Sequence, residues 1–234
     1  MKLLTIIIPV FNETRTISKL LIKILKLNIS KQVIVIDDCS NDGTKKKIMK
    51  YKNKLDKIIF HKKNMGKGSA IKSAQSFVKG KYVIIQDADL EYNPRDIEKM
   101  LKKIRESKKY YAVYGSRVLG KQRYKSKEFL SLSRIFFNHI LTIFSNMINL
   151  QNLTDAHTCY KLIDSKIFKK INFQERKFGF CPELTTKLSN MGYNIIEIPI
   201  SYKGRSFKEG KKIKYTDGVN AVFSLMKYKF LSRF

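Results

Sequence analysis

The sequence has no tryptophan, four prolines, three cysteines and only 19 acidic residues against 48 basic ones. Cys39, Cys159 and Cys181 lie far apart and form no CxxC pair or Cys/His cluster, so neither a structural zinc site nor a disulfide framework is expected. His61, His139 and His157 are not at metal-ligand spacing either. No apolar run reaches the ~20 residues that a bilayer span needs, and no secretory leader precedes the first strand-like segment. These absences point to a cytoplasmic protein that touches a membrane only peripherally, at its cytoplasmic face. No internal repeat or low-complexity linker divides the chain, so a single domain is expected over residues 1–234.

What the chain has is enough apolar material for a substantial core: 43% of 234 residues are hydrophobic. The formal net charge is +29. A charge of that size suits a polyanionic partner, either nucleic acid, an anionic bilayer or a phosphorylated substrate. Part of the excess is compositional, because the lysines are scattered along helical segments rather than gathered in one block.

Strand-like runs alternate with helical patterns through the first half. Residues 4–10 (LTIIIPV), 33–36 (VIVI), 58–60, 82–85 (YVII) and 111–114 read as strands, the first as one buried on both faces. Helices are predicted over about 14–27, 44–51 and 67–78, and beyond Asn93-Pro94, where Asn caps and Pro takes the first helical position. This βαβα order predicts an α/β fold with a mostly parallel central sheet flanked by helices. Polar motifs follow the strands directly, at the edge where open α/β sheets bind ligands.

Five such motifs occur in order: Pro9-Val10-Phe11-Asn12-Glu13; Asp37-Asp38-Cys39-Ser40-Asn41-Asp42-Gly43-Thr44; Asn64-Met65-Gly66-Lys67-Gly68-Ser69-Ala70; Asp87-Ala88-Asp89; and Gly115-Ser116-Arg117. Each alone is weak, since an Asp-Gly pair usually marks a turn and a GxG before a helix often marks a bend. Together, in this order and spacing, they resemble family 2 glycosyltransferases of the GT-A (Rossmann-like) fold, and most of all the dolichyl- and polyprenyl-phosphate mannose and glucose synthases. Later segments extend the resemblance over nearly the full chain: Thr154-Asp155-Ala156-His157-Thr158-Cys159-Tyr160-Lys161, Phe178-Gly179-Phe180-Cys181-Pro182-Glu183-Leu184 and Ile198-Pro199-Ile200-Ser201-Tyr202-Lys203-Gly204-Arg205.

The resemblance implies a nucleotide-sugar-binding half over 1–117 and an acceptor-side half over 118–234. It implies an inverting hexosyltransferase that uses a GDP- or UDP-linked sugar, mannose or glucose leading, with a polyprenyl phosphate as acceptor. Asp89 would ligate Mg²⁺ or Mn²⁺, with Asp87 beside it; Glu91 stands where relatives often carry Gln, and could also ligate the metal. Pro9, Phe11, Glu13 and Asp38 would shape the base and ribose pocket, because a carboxylate can accept from a uracil or guanine ring N–H. Lys67, at a helix N-terminus, and Arg117 suit the diphosphate.

A lipid phosphate is already anionic near neutral pH, so its attack needs cations rather than a general base. Arg205, Lys211, Lys125, Lys127, Ser133 and Arg134 are the candidates. Relatives place an Arg one turn before a Ser-Arg pair; here Phe129 stands there, so either Lys125 or Lys127 would replace it or the acceptor phosphate is held differently. Residues 132–148 read as one helix whose apolar stripe is wider than one buried face needs, which fits either a membrane-interface helix or a core helix packed on both sides. The aromatic and basic stretch 222–234 is similar, and attachment to an anionic membrane surface is expected. Two other readings compete. A transferase acting on a saccharide hydroxyl would need an acceptor-side base, for which Asp155 or Glu183 could serve. A nucleic-acid-binding module would suit the charge, but no recognised binding motif is present, and no nucleic-acid partner is expected. A processive polysaccharide synthase would carry a Trp-containing motif, which this chain lacks.

Overall fold

The structure is a computed structural model that describes residues 2–106, 111–119, 129–177, 179–205 and 215–231, with 129–134, 215–217 and 219 described by backbone alone. Its centre is a sheet of seven strands: β1 (Leu4–Val10), β2 (Lys31–Asp37), β3 (Lys57–Phe60), β4 (Tyr82–Ile85), β5 (Ala112–Ser116), β6 (Lys161–Asp164) and β7 (Ile195–Pro199). Their order across the sheet is β3-β2-β1-β4-β6-β5-β7. Only β6 runs against its neighbours. Every residue of β1 is buried, as its unbroken apolar run requires of a central strand covered on both faces.

Among the described residues the helices are α1 (Ile17–Leu25), α2 (Thr44–Met49), α3 (Lys67–Ala74), α4 (Asp96–Glu106), α5 (Phe129–Asn149), α6 (Ser165–Lys170), α7 (Phe180–Asn190) and α8 (Tyr215–Phe230). The expected apolar face of α1 is the one it buries, through Ile17, Leu20, Leu21 and Ile24. Several boundaries differ from the sequence expectation. Helix α3 ends at Ala74 and passes into a 3-10 turn, Gln75–Phe77. Helix α4 starts at Asp96 rather than Pro94, because Asn93 accepts the Arg95 amide and so caps a turn that precedes the helix.

Two features of this topology create the site. After β1 the chain fills the sheet in one direction, through β2 and β3, then crosses back to β4 on the other side of β1. Loops leaving β1 and β4 therefore diverge, and a crevice opens between them at the carboxyl ends of the strands. The second feature is the reversal of β6. The residues that lead into it, 154–160, arrive at the same edge as the residues that leave β4 and β5. The second half of the chain thus contributes both a central strand and a wall of the crevice.

The far edge is tied by buried polar side chains. Thr5 donates to Gln32 (2.7 Å) and accepts from the Gly80 amide (2.9 Å), while Gln32 also takes the Lys79 amide and gives to the Phe77 carbonyl. A buried hydroxyl and amide are tolerated here because each is satisfied. The approach leaves no room at Gly80, where a Cβ would lie 2.5 Å from the Thr5 nitrogen. Gly80→Ala should accordingly lower unfolding free energy by about 1–3 kcal/mol, read from the midpoint of a urea transition with unchanged slope.

Candidate active site

Each strand end along the crevice carries an irregular backbone. Asn12 (φ 49), Cys39 (φ 66) and Leu90 (φ 63) adopt the left-handed region, one after each of β1, β2 and β4. Non-glycine residues rarely hold that conformation, and such strain gathers at functional edges. The first two loops are laced together. The Asn12 amide donates to Ser40, the Glu13 amide to Thr44 and the Thr14 amide to Asp42, while Asn12 accepts from the Asn41 amide.

Pro9 ends within β1 and is buried, and Phe11 is half-buried just beyond it. Asp38 is buried, and its two oxygens take three donors: His61 Nδ1 at 2.7 Å, the Met65 amide at 2.8 Å and the Gly66 amide at 2.7 Å. The carboxylate expected to meet the base thus holds the loop that opens α3. Gly66 (φ 90) and Gly68 face the backbone of Glu175 and Arg176, where a Cβ at either position would collide with a carbonyl oxygen. That packing sets Lys67 over the crevice, with Nζ 2.5 Å from Asp87 Oδ1 and 3.0 Å from Cys159 Sγ. Burial alone would lower the Lys67 pKa, but the Asp87 carboxylate beside it raises it well above the ordinary value.

Asp87, Asp89 and Glu91 have different sets of partners. Asp87 pairs with Lys67, Asp89 Oδ2 lies 3.4 Å from Arg205, and Glu91 accepts from the Tyr202 hydroxyl and from the Arg205 amide (2.8 Å). Burial, reinforced by the charges of Asp87 and Glu91, pushes the Asp89 carboxyl up to about 7. Arg205 reaches back to Glu13 with both terminal nitrogens, at 3.1 and 2.9 Å. Four carboxylates, Glu13, Asp87, Asp89 and Glu91, therefore meet two cations, Lys67 and Arg205.

Among the described residues no three His, Cys, Asp or Glu side chains form a ready metal cage. The donor set still fits Mg²⁺ or Mn²⁺. Such ions are held by one or two carboxylates plus substrate phosphates. Asp87 and Asp89 would hold it. Glu91, a candidate ligand on sequence grounds, has both oxygens engaged by the 202–205 segment.

The wall formed by 154–160 is fixed by Arg117. Its guanidinium makes two bonds to Asp155, at 2.7 and 2.8 Å, and its amide makes a third at 3.0 Å. Asn138 of α5 adds another donor, and the Asp155 amide in turn donates to Glu197 of β7. Burial would lower the Arg117 pKa, yet Asp155 holds it well above the usual value. Arg117 thus points at Asp155 and stacks on Tyr202, 5.1 Å from the ring centre. His157, enclosed in the same turn, is pushed down to about 4 by burial and by nearby Lys161, so it is neutral at pH 7.

Sequence reasoning missed three parts of this site. Tyr92, Tyr160 and Tyr202 cluster beside the Asp89 segment, with Tyr92 stacked on Tyr160 at 4.6 Å and edge-on to Tyr202 at 5.2 Å. Glu197 organises Thr154 and Asp155, and His61 buttresses Asp38. Of the expected acceptor-phosphate residues, Lys125, Lys127 and Lys211 lie outside the described residues, and Ser133 and Arg134 are placed by backbone in the first turns of α5.

A mainly parallel sheet with this strand-end crevice is the architecture of the GT-A glycosyltransferases. The chain matches the family described as glycosyl transferase family 2 over residues 5–172, and it belongs to that family. An uncharacterised protein of Methanocaldococcus jannaschii is 30% identical over 207 residues, covering 83% of this chain and 86% of that one. A dolichyl-phosphate beta-glucosyltransferase of Trichomonas vaginalis is 24% identical over 98% of this chain and 74% of its own length. Among solved structures, glucosyl-3-phosphoglycerate synthase from Mycobacterium tuberculosis, in complex with Mn²⁺, UDP and phosphoglyceric acid, superposes with a TM-score of 0.74 at 13% identity, over 99% of this chain and 80% of that one. The same synthase with Mg²⁺ and UDP gives a TM-score of 0.72 at 13% identity, over 99% of this chain and 81% of that one.

The Arg117–Asp155 pair makes a stability prediction. Arg117→Ala removes the guanidinium from a buried carboxylate and should cost about 3–5 kcal/mol of unfolding free energy. Arg117→Ala and Asp155→Asn should lower the melting temperature together, and a chemical-denaturation series on both variants checks it.

Proposed function

We propose that this glycosyltransferase moves a hexose from a nucleotide-sugar to a polyprenyl phosphate at an anionic membrane surface. The observation that carries the reading is the state of the acceptor-side acids. Asp155 is fully buried and bound by Arg117 and Asn138. Glu183 is fully buried and takes the Gln174 and Glu175 amides and the Lys187 ammonium. Glu197 is engaged by Thr154 and Asp155, and Asp164 caps α6 at the opposite end of the sheet. Glu175 accepts from the Tyr228 hydroxyl. Among the described residues, none of these five is placed to deprotonate an acceptor hydroxyl, whereas a phosphate acceptor needs no such base. UDP-glucose is the leading donor, since the similar T. vaginalis protein is a glucosyltransferase and the similar synthase is solved with UDP.

In this reading a phosphate oxygen of the lipid attacks the anomeric carbon as the bond to the nucleoside diphosphate breaks on the opposite face, inverting the configuration. No proton leaves the acceptor. A bound divalent ion would neutralise the departing diphosphate as a Lewis acid. Lys67 adds a cation at the N-terminus of α3, Arg205 offers a fork to a phosphate, and Arg117 positions the 154–160 wall through Asp155. Asp38 acts through the loop it holds, with Pro9, Phe11 and Glu13 beside the nucleoside.

Membrane attachment is supported by α5, which is inverted. Its inward face is polar: Thr142 and Ser145 are 2% and 1% exposed, and Asn149 bonds Ser145 and Thr186 of α7. Its outward face is apolar, with Ile143 and Met147 at 58% and 70% exposure and Phe136, Phe137 and Ile140 beside them. Helix α8 packs against α5 and exposes Phe223, Met226 and Phe230. Among the described residues no helix is long and apolar enough to cross a bilayer. An exposed apolar stripe on a basic protein suits insertion into the interface of an anionic leaflet, where each nearby Lys or Arg adds about 1 kcal/mol.

The competing acceptor is a small soluble hydroxyl compound, which the phosphoglyceric acid bound by the similar synthase favours. Radiolabelled UDP-glucose and GDP-mannose, offered undecaprenyl phosphate, dolichyl phosphate or phosphoglyceric acid, decide between them. Label should extract with the lipid; label that stays in the aqueous phase overturns the lipid reading. Asp89→Asn should reduce metal-dependent transfer by about 100-fold or more without lowering the melting temperature, and full activity in excess EDTA would remove the metal. Flotation with anionic vesicles tests the surface. Ile143→Glu combined with Met147→Glu should abolish it while the fold is kept, since both side chains are exposed.

A further inference from the structure

Arg205 lies beyond β7, outside any helix or strand, and carboxylates from both walls of the crevice hold it. Glu13 belongs to the wall that follows β1, and Asp89 and Glu91 to the wall that follows β4. The guanidinium spans them. It binds Glu13 bidentately, approaches Asp89 to 3.4 Å and sets Nε 3.7 Å from Glu91. That Nε is buried and has no acceptor within hydrogen-bond distance, so the guanidinium is not fully satisfied by the acids around it. The Arg205 amide donates to Glu91, and the Lys203 amide donates to the Glu91 carbonyl at 2.9 Å. One positive group thus closes the space between two loops that would otherwise repel each other, in the place where an ion and a diphosphate would sit.

We propose that Arg205 is a surrogate cation: it bridges the crevice by pairing with Glu13, Asp89 and Glu91, and a divalent ion taken up by Asp87 and Asp89 displaces it from Asp89 and frees the guanidinium to face a phosphate. The inference rests on the reading that this crevice binds metal and nucleotide-sugar. Its logic is ion exchange. A guanidinium and a dication cannot both lie against Asp89 without strong mutual repulsion, and the dication offers the carboxylates twice the charge. Because the closed arrangement must be opened first, the ion binds with an affinity reduced by the fraction of open molecules. Arg205 is therefore delivered to a phosphate only when the site is loaded. Before that, its fork is spent on acids and is not offered to a stray anion.

Mn²⁺ binding to the full chain, followed by the EPR signal of the free ion with no nucleotide present, tests this directly. Arg205→Ala should bind Mn²⁺ about tenfold more tightly than the unaltered chain. Arg205→Lys keeps the charge but cannot span three carboxylates, and it should fall between. Equal or weaker affinity in Arg205→Ala, including no binding by either protein, overturns the proposal. A second measurement needs no variant. Phenylglyoxal modification of Arg205, followed by peptide mass, should speed up several-fold when Mn²⁺ replaces NaCl at equal ionic strength, and equal rates overturn it. Transfer assays separate the two readings. An Arg205→Ala protein that binds Mn²⁺ more tightly yet transfers sugar at the unaltered rate keeps the exchange and removes Arg205 from the phosphate site.

Discussion

The parallel pairing of β1 with β4 is the constraint on which the rest of the site depends. Leu4 to Ile7 lie in register with Tyr82 to Ile85, so the two strands run side by side toward the same edge, with β1 reaching on to Val10. Their following loops cannot continue in register, because the chain leaves β1 for β2 and enters β4 from a crossover. Glu13 and the Asp87–Glu91 segment are carried to facing walls for that reason. Close like charges in a partly dry crevice are unfavourable, and Lys67 and Arg205 are what the chain sets against them. Both cations are brought in from a distance. Lys67 opens α3, whose start packs against residues 175–176, and Arg205 follows the strand at the far end of the sheet.

A second, drier electrostatic unit governs the acceptor side. Arg117, Asp155, Glu197, Thr154 and Asn138 form one bonded group that joins β5, the wall before β6, β7 and α5. Such a group is costly to bury and costlier to break. Its value is geometric: it locks the wall that carries Tyr160 and Cys159 against the strand end that carries Gln86 and Asp87. The tyrosine cluster of Tyr92, Tyr160 and Tyr202 then fills the space between the two units with large side chains of few rotamers.

Much of this was legible in the sequence, in a particular sense. The strands β1, β2 and β4 were visible as unbroken apolar runs, and the motifs after them fell at the predicted edge. Antiparallel β6 was not visible, because KLID is four residues long and carries a lysine that the fold buries against Tyr114 and the Ala156 carbonyl. Contacts between distant residues were also out of reach. Arg205 and Glu13 are 192 residues apart, and nothing in either segment announces the other. The stripe on α5 was legible as a stripe, since spacing says which residues share a face. Spacing does not say which medium that face meets, and the polar set Asn138, Thr142, Ser145 and Asn149 turned out to be the inward one. Asp38 and Arg117 were legible as strand-end residues, while the partners that engage them, His61 and Asp155, became visible only with the fold.

The inverted helix also bears on the chain's charge. A protein that keeps phenylalanines, isoleucines and methionines on its outside in water is one collision away from sticking to its own copies. A net charge of +29 answers that hazard, because copies repel before their apolar faces touch. The protection is only as long-ranged as the ionic atmosphere allows, about 8 Å at physiological salt. The lysines scattered over the helices would in that way act as a colloidal stabiliser. On the proposed membrane reading, an anionic surface would both neutralise them and cover the apolar face.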